Sequence, residues 1–177
     1  MAYTLLRVGF LLFALLLLFV VASAFYGFLR TRVPFVPTSK NDIEFIVNDL
    51  NVTSKDIFYD LGSGNGKVCF MINRLTGARC VGFELTWWTY LWAKLKASLQ
   101  NSAIVFKRRD FFAEDWSEAT VIYGYLYPML MGRVEEKFKK DMKPGSRAII
   151  RDFPFPNMRY KKKYYLPKEH EIYLYEL

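Results

Sequence analysis

Residues 60–66, Asp-Leu-Gly-Ser-Gly-Asn-Gly, place three glycines at alternate positions directly after a short apolar run. In an open parallel sheet, ligands bind beyond the carboxyl ends of the strands, where glycine allows the backbone to approach a ligand closely. The spacing is GxGxG, whereas the dinucleotide fingerprint is GxGxxG. A carboxylate two residues before the first glycine would repel a pyrophosphate and attract an ammonium group. The pattern therefore predicts a phosphate-free ligand with an amino-acid end, bound by Asp60, Gly62, Ser63, Gly64 and Gly66.

Two further carboxylates follow the next two predicted strands. Glu84 ends the second strand and is placed to accept hydrogen bonds from both hydroxyls of a ribose, with Leu85 beside it. Asp110 follows the third strand and is placed to accept from the exocyclic amine of an adenine, with Phe111 or Phe112 packing on the ring. Three successive strand ends would then contact the amine, the ribose and the base in order.

The elements that position these residues alternate between strands and helices from residue 41 to residue 153. Such alternation predicts a parallel sheet with helices on both faces. The predicted helices cover 41–50, 67–75, 87–99 and 129–142, and the predicted strands cover 56–61, 80–84, 103–107, 121–127 and 148–153. The tail predicts two antiparallel strands around residues 167–169. The expected fold is an α/β, Rossmann-like, doubly wound and mostly parallel seven-stranded sheet with an antiparallel terminal hairpin.

The first part of the chain contains 22 uncharged residues, Val8 to Leu29, which exceeds the roughly 20 that a membrane-spanning helix needs. The expected organisation is a membrane anchor at residues 1–32, with a single transmembrane helix over about 8–29, followed by one domain at 33–177. Basic residues just after the helix favour a domain on the cytoplasmic, or matrix-like, side. Residues 22–24, Ala-Ser-Ala, also resemble a signal-peptide cleavage site. The uncleaved anchor is the favoured interpretation, and cleavage stays open.

Composition limits the classes of partner and metal site that the chain can have. The formal net charge of +8 suits an anionic membrane surface, a nucleic acid or an acidic protein, without choosing among them. Cys69 and Cys80 lie in apolar runs and predict buried thiols, and a single histidine, His170, excludes a multi-histidine metal site. We therefore predict no metal. The basic clusters at 108–109 and 161–163 are interpreted as a solvated or headgroup-facing surface rather than a nucleic-acid footprint.

The chain from residue 33 onward resembles the class I, seven-stranded methyltransferases that use S-adenosylmethionine. It is most similar to a small group of protein-lysine methyltransferases that includes the mitochondrial enzymes acting on the c-subunit of ATP synthase and on the adenine nucleotide translocase. Members of this group often carry an N-terminal membrane segment. The matching stretches are "VPFVPTS", "DLGSGNGK", "VGFEL", "RRDFF", "VIYGYLYPMLMGRVEEK" and "RDFPFPN". The chain departs from the family's usual Asp and Arg at Asn65 and Lys67.

This resemblance implies that S-adenosylmethionine is the cofactor, with Pro37 and Thr38 among the residues that bind it. It implies a protein lysine as acceptor, in a membrane-associated protein, with nucleic acid unlikely as a partner. The loop after the fourth strand lacks the Asn or Asp of other amine methyltransferases. Tyr125, Tyr127 and Pro128 are therefore the expected catalytic residues, with Asp152, Phe153 and Phe155 as the opposite wall. Two alternatives stay open: an acceptor that is a membrane small molecule, such as a quinone or lipid, and a non-catalytic cofactor-binding domain.

Overall fold

The structure, a computed structural model, describes residues 2–31, 38–100, 102–167 and 170–177. The predicted cofactor residue Pro37 lies outside the described residues. The helices are α1 (Ala2–Thr31), α2 (Lys40–Asp49), α3 (Lys67–Thr76), α4 (Trp87–Leu99) and α5 (Pro128–Asp141), with a short 3-10 turn at Phe111–Ala113. The strands are β1 (Ile57–Leu61), β2 (Arg79–Phe83), β3 (Val105–Lys107), β4 (Val121–Gly124), β5 (Arg147–Arg151), β6 (Lys162–Tyr165) and β7 (Glu171–Glu176).

The seven strands form one sheet in the order β3-β2-β1-β4-β5-β7-β6. The first five strands in this order are parallel, while β7 runs antiparallel to both β5 and β6. The predicted fold class and the antiparallel terminal hairpin are therefore confirmed. The chain adds β2 and β3 on one side of β1 and then returns to add β4 on the other side. The switch point of the sheet therefore lies between β1 and β4, and an open sheet of this kind binds its ligand there.

Three strands end before the predicted residue: β2 by one residue, at Phe83, and β4 and β5 by more. β4 ends at Gly124 and not at residue 127, so Tyr125 and Tyr127 lie in the loop that follows. The reason is Pro128, which begins α5 with Tyr127 as its N-cap, so the chain must leave the sheet earlier. β5 likewise ends at Arg151, and the next residue, Asp152, takes a left-handed backbone conformation with φ 63° that stops the strand.

The sheet is covered on both faces, because alternate residues of its strands enter two separate apolar clusters. Phe58 and Ile149 belong to the cluster that contains the buried residues of α2 and α3. Their strand neighbours Tyr59 and Ile150 belong to the cluster under α5. Phe155, expected from the sequence in the wall of the site, is instead buried in this second cluster, with its ring 4.3 Å from that of Tyr175.

Helix α1 differs from the other helices because nearly all of its described side chains are exposed. Its segment Tyr3–Tyr26 has a mean hydropathy of 2.8 and is long and apolar enough to cross a membrane, by length and composition. A signal sequence near the N-terminus has the same properties. Among the side chains of α1 that the structure describes, Ser23 is buried, and it accepts a hydrogen bond from the backbone N–H of Trp88, at 3.0 Å. This contact ties the last part of α1 to the start of α4.

Candidate active site

The glycine loop connects β1 to α3 and folds back against the end of β2. The backbone N–H groups of Gly62 and Ser63 both donate to the carbonyl oxygen of Phe83, at 3.0 and 2.8 Å. Gly62, Gly64 and Gly66 all have positive φ angles, of 84°, 53° and 78°. A Cβ on Gly66 would lie 2.4 Å from the ring of Phe106, so this position excludes any side chain. The loop therefore forms the close backbone turn that its glycine spacing predicts.

Asp60 lies in β1 just before this loop, and only 2% of the residue is exposed. Burial raises the pKa of its carboxyl to about 7, a hydrogen bond from Cys69 opposes that rise, and the nearby Glu84 carboxylate adds to it. The Cys69 thiol lies 3.6 Å from the carboxylate oxygen. No salt bridge involves Asp60 within the described residues. A buried carboxylate in this state is poised to take a cationic ligand, because an ammonium group would stabilise its charged form.

Glu84 follows β2 and is held by backbone groups on both of its carboxylate oxygens. One oxygen accepts from the N–H of Gly64 at 2.9 Å, and the other accepts from the N–H of Thr86 at 2.6 Å. These two bonds fix the carboxylate beside the glycine loop, as the predicted ribose contact requires. The remaining lone pairs are free to accept from two hydroxyl groups. Leu85 is half-buried between these two anchoring contacts.

Asp110 follows β3 and accepts a hydrogen bond from the backbone N–H of Phe112, at 2.9 Å, which caps the short 3-10 turn. Phe111 is buried against Trp116, so its ring forms part of the core. Phe112 is only half-buried and has the guanidinium of Arg133 3.9 Å from its ring centre. The structure therefore places Asp110 at the strand end as predicted, while the packing of Phe111 on an adenine stays a prediction.

Two buried hydroxyl groups complete the cofactor side. The Thr38 hydroxyl is within 2.9 Å of the Tyr123 hydroxyl, and the Thr38 carbonyl accepts from Lys67 at 2.7 Å. The Ser63 hydroxyl is buried and has no hydrogen-bond partner within the described residues. A buried polar group of this kind calls for a partner. The unpaired hydroxyl, the glycine turn and the two carboxylates fit the amino-acid and ribose parts of S-adenosylmethionine.

The predicted catalytic residues lie beyond the end of β4. Tyr127 is the N-cap of α5 and is exposed, while Pro128 is the first residue of that helix. Tyr125 is half-buried, with the guanidinium carbon of Arg151 4.4 Å from its ring centre. Burial raises the pKa of Tyr125, and the nearby Asp152 carboxylate raises it further. The Tyr125 phenol therefore stays protonated at neutral pH.

A buried ion pair beneath these tyrosines is not predicted from the sequence. Arg151 and Asp42 are both about 3% exposed, and their side-chain nitrogen and oxygen lie 2.9 Å apart. The contact is an ion pair and not an aligned hydrogen bond, since this guanidinium nitrogen has no hydrogen-bond partner within the described residues. The sequence does contain one signal for this ion pair, the arginine at the end of the apolar run Ala-Ile-Ile-Arg, because a charge in a buried strand needs a partner.

Asp152 also has partners that sequence reasoning missed. One of its carboxylate oxygens accepts from the backbone N–H of Glu171, at 2.9 Å, and the other lies 2.9 Å from His170 Nδ1. The sequence gives no sign of this role for His170, which is half-buried in the structure. Phe153, expected in the same wall, is 36% exposed. Asp152 therefore ties the end of β5 to the start of β7 and to a histidine at the edge of the site.

Known proteins of similar sequence show which family this site belongs to. The family model of the ANTKMT methyltransferase domain matches residues 60–162, which is more than half of the chain. The chain is 26% identical to a protein-lysine N-methyltransferase of Saccharolobus islandicus, over 81% of this chain and 93% of that protein. It is 28% identical to the mouse lysine N-methyltransferase named for the C-subunit of ATP synthase, over 81% of this chain but only 59% of that protein.

A solved structure shows the same fold with a bound product. The RNA methyltransferase from Salinibacter ruber, in complex with S-adenosyl-L-homocysteine, superposes with a TM-score of 0.75. The two sequences are 29% identical, and the match covers 80% of this chain and 93% of that one. S-Adenosylhomocysteine is what S-adenosylmethionine becomes when it has given up its methyl group. The chain therefore belongs to the ANTKMT methyltransferase domain family and is a methyltransferase that uses S-adenosylmethionine.

Proposed function

We propose that this methyltransferase acts on the side-chain amine of a lysine in a protein. The observation that carries the proposal is the tyrosine edge beyond β4, where Tyr125 and Tyr127 stand in place of an amide or acid acceptor. The names of the archaeal and mouse relatives, both lysine N-methyltransferases, support the same acceptor. The name of the structural relative from Salinibacter ruber points instead to RNA, and a labelling experiment separates the two.

On the cofactor side, the chain binds and orients the donor without itself reacting. S-Adenosylmethionine supplies an electrophilic methyl group on a positively charged sulfur. Asp60 would pair with the ammonium end, Glu84 would accept from the ribose hydroxyls, and the glycine loop would allow close approach of the backbone. The main contribution of such a site is positioning, since holding two reactants in line removes much of the entropic barrier.

On the acceptor side, the lysine amine must be neutral to attack, although its ordinary pKa is about 10.4. Tyrosine rings provide an apolar environment that lowers the pKa of an amine by desolvation. Because the Tyr125 hydroxyl keeps its proton at neutral pH, its oxygen is a neutral hydroxyl oxygen with lone pairs that can accept from an amine N–H. Tyr125 can thus direct the nitrogen lone pair toward the methyl group without any carboxamide.

The direct test is incubation of the full chain with radiolabelled S-adenosylmethionine and a membrane extract, followed by mass spectrometry of the labelled band. We expect label on a lysine of a protein. Label confined to lipid or quinone extracts would favour the small-molecule alternative, and label in RNA would favour an acceptor like that named for the structural relative. Cofactor binding with no transfer to any fraction would identify a non-catalytic domain.

Tyr125→Phe tests the acceptor side separately. We expect about 10- to 100-fold lower kcat/KM with an unchanged Kd for the cofactor, because only the orienting hydroxyl is lost. Tyr165→Phe is the matched control, since Tyr165 is 77% exposed on the edge strand β6. Asp60→Ala and Glu84→Ala should instead abolish cofactor binding. Equal activity of Tyr125→Phe and the wild type would remove this residue from the mechanism.

We also propose that α1 anchors the domain in a membrane with the domain on the cytoplasmic side. The support is the exposed apolar segment Tyr3–Tyr26 and the basic residues that follow it in the sequence. Resistance of the chain to carbonate extraction tests the anchor, protease protection of sealed vesicles tests the side, and the mass of the mature N-terminus tests cleavage. Release of the chain by carbonate would overturn the anchor.

A further inference from the structure

Helix α4 presents a large apolar stripe to the outside of the domain. The helix directs only small residues, Ala93 and Ala97, into the core. Five of its large apolar side chains are exposed by 41–78%: Trp87, Leu91, Trp92, Leu95 and Leu99. Residues spaced in this way share one side of a helix, and a contiguous apolar patch of this size on a domain marks an interaction surface. We refer to these five residues as the α4 stripe.

We propose that the α4 stripe lies on the surface of a lipid bilayer, in the interfacial zone, beside the point where α1 leaves the membrane. The inference rests on the proposed anchoring by α1. It adds the orientation of the domain to that proposal. A flexibly connected anchor would let the domain rotate relative to the membrane, whereas contact through the α4 stripe would hold it in one orientation.

The contact between α1 and α4 supports this placement. Thr86, the N-cap residue of α4, makes no side-chain capping bond. The hydroxyl of Ser23 accepts from the N–H of Trp88 instead, so α1 supplies the cap that α4 lacks. Ser23 lies six residues before Leu29, the last uncharged residue of the segment, or about 9 Å along a helix axis. The start of α4 is therefore within the depth of about 5–10 Å at which interfacial helices lie in a bilayer.

The chemistry of α4 fits that level. Tryptophan concentrates at membrane interfaces, where its ring is buried among headgroups and its N–H stays hydrated. Cations accompany the stripe: Lys94 lies on the same helix, and Arg108 lies 3.9 Å from the ring centre of Trp87. Long basic side chains can bury their stems and reach anionic headgroups with their charges. A bilayer with anionic lipid is therefore the partner that matches both the apolar and the charged groups.

This placement brings the cofactor site to the membrane. The N–H of Thr86 donates to Glu84, and α4 begins at the next residue. A helix bound flat on the bilayer would hold the carboxyl edge of the sheet at a constant height above it. The acceptor lysines within reach would then be those in the first exposed residues of a membrane protein. Cleavage after Ala24 would remove the Ser23 cap, so the chain must keep α1 for this arrangement.

Depth-dependent fluorescence quenching tests the proposal on the full chain in phosphatidylcholine–phosphatidylglycerol vesicles. Trp87→Phe/Trp88→Phe leaves Trp92 on the stripe and Trp116, which is fully buried, as an internal reference. Lipids brominated near the headgroup should quench Trp92 and leave the Trp116 emission unchanged. Leu95→Glu should reduce this quenching severalfold. Leu75→Glu is the matched control, because Leu75 is comparably exposed on a different helix, and it should change nothing.

Two measurements on the same vesicles distinguish failure of the stripe proposal from failure of the anchor or of the methyltransferase site. Carbonate extraction reports whether α1 is inserted, and cofactor titration reports whether the methyltransferase site is intact. If α1 is inserted but Trp92 is not quenched, the stripe does not lie in the bilayer, and the proposal is wrong. If the chain is extracted by carbonate, the anchor and the stripe proposal both fail, while an unchanged Kd for the cofactor leaves the methyltransferase assignment intact.

Discussion

The buried carboxylate of Asp60 should make cofactor binding depend on pH in a specific direction. Its pKa of about 7 in the free protein compares with an ordinary value of 3.8. A rise of about three pKa units corresponds to about 4 kcal/mol that favour the protonated form. The ammonium group of the cofactor favours the charged form, so binding must expel the proton at any pH below 7. Affinity should therefore weaken as the solution becomes more acidic.

The size of the effect follows from linkage. If the pKa of Asp60 returns to its ordinary range in the complex, Kd should rise about 25-fold between pH 7.5 and pH 5.5. The window ends at pH 7.5 because the α-amino group of the cofactor itself loses its proton at about pH 7.7–8.0. Isothermal titration calorimetry at several pH values measures Kd and, through buffers of different ionisation enthalpy, the proton released. Asp60→Asn should bind weakly and with little dependence on pH.

The same carboxylate has the opposite effect on the cofactor-free domain. A raised pKa means that ionisation is penalised in the folded state, so the contribution of Asp60 to stability is complete below about pH 4. That contribution is lost as the pH rises through about 7. Without cofactor, Asp60→Asn should therefore be more stable than the wild type at pH 8, by at most about 4 kcal/mol. Thermal denaturation at pH 5 and pH 8 measures the difference.

Asp56→Asn is the matched control for both measurements. Asp56 precedes the same strand, but its partners Thr53, Thr120 and Arg147 outweigh desolvation and lower its pKa. Its contribution to stability is present at neutral pH and is lost as the pH falls through its depressed pKa. Asp56→Asn should destabilise the domain at pH 7 and leave the pH dependence of Kd unchanged. A wild-type Kd that is constant from pH 5.5 to 7.5 would refute the reasoning about Asp60.

Three further predictions concern packing and capping. Gly66→Ala should weaken cofactor binding more than tenfold, since its Cβ would lie 2.4 Å from a ring carbon of Phe106. Gly145→Ala is the control, because Gly145 also has a positive φ but has open space around it, and calorimetry should give the wild-type Kd. Arg151→Met should cost about 3–5 kcal/mol in urea unfolding, because it leaves a buried carboxylate unpaired. Ser23→Ala should lower the free energy of unfolding by about 1 kcal/mol and Thr86→Ala by much less, the reverse of what local sequence rules indicate.

Much of the fold could be predicted because its signals are local. The alternation of apolar strands with amphipathic helices defined the parallel sheet, and α4 begins and ends at the predicted residues. The capping box of Ser39 and Asp42 marks the start of α2 in the sequence itself. The predicted end of β4 is three residues too late, because alternating tyrosines continue the strand pattern beyond Gly124. Pro128 is the local signal against that extension, since it favours a helix start.

The features that could not be predicted join residues far apart in the chain. Arg151 meets Asp42 only when β5 packs beside α2, and no local pattern contains that register. Ser23 caps α4 only because α1 lies against it, whereas the sequence indicates Ser23 merely as part of a possible cleavage site. The three strand-end carboxylates were easier to predict, because the carboxyl ends of parallel strands share one edge of the sheet.

The short segment from Glu84 to Trp88 connects the two halves of the proposed function. Glu84 accepts from the N–H groups of Gly64 in the glycine loop and of Thr86, and the N–H of Trp88 donates to Ser23 of α1. A shift of α1 relative to the domain would therefore pull on the residues that position the ribose carboxylate. Loss of the Ser23 cap should then weaken cofactor binding as well as stability, although Ser23 touches none of the predicted cofactor residues. If α1 were not coupled to the cofactor site, Ser23→Ala would leave Kd unchanged. Calorimetry of Ser23→Ala therefore shows whether α1 supports the cofactor site or is only attached to the domain.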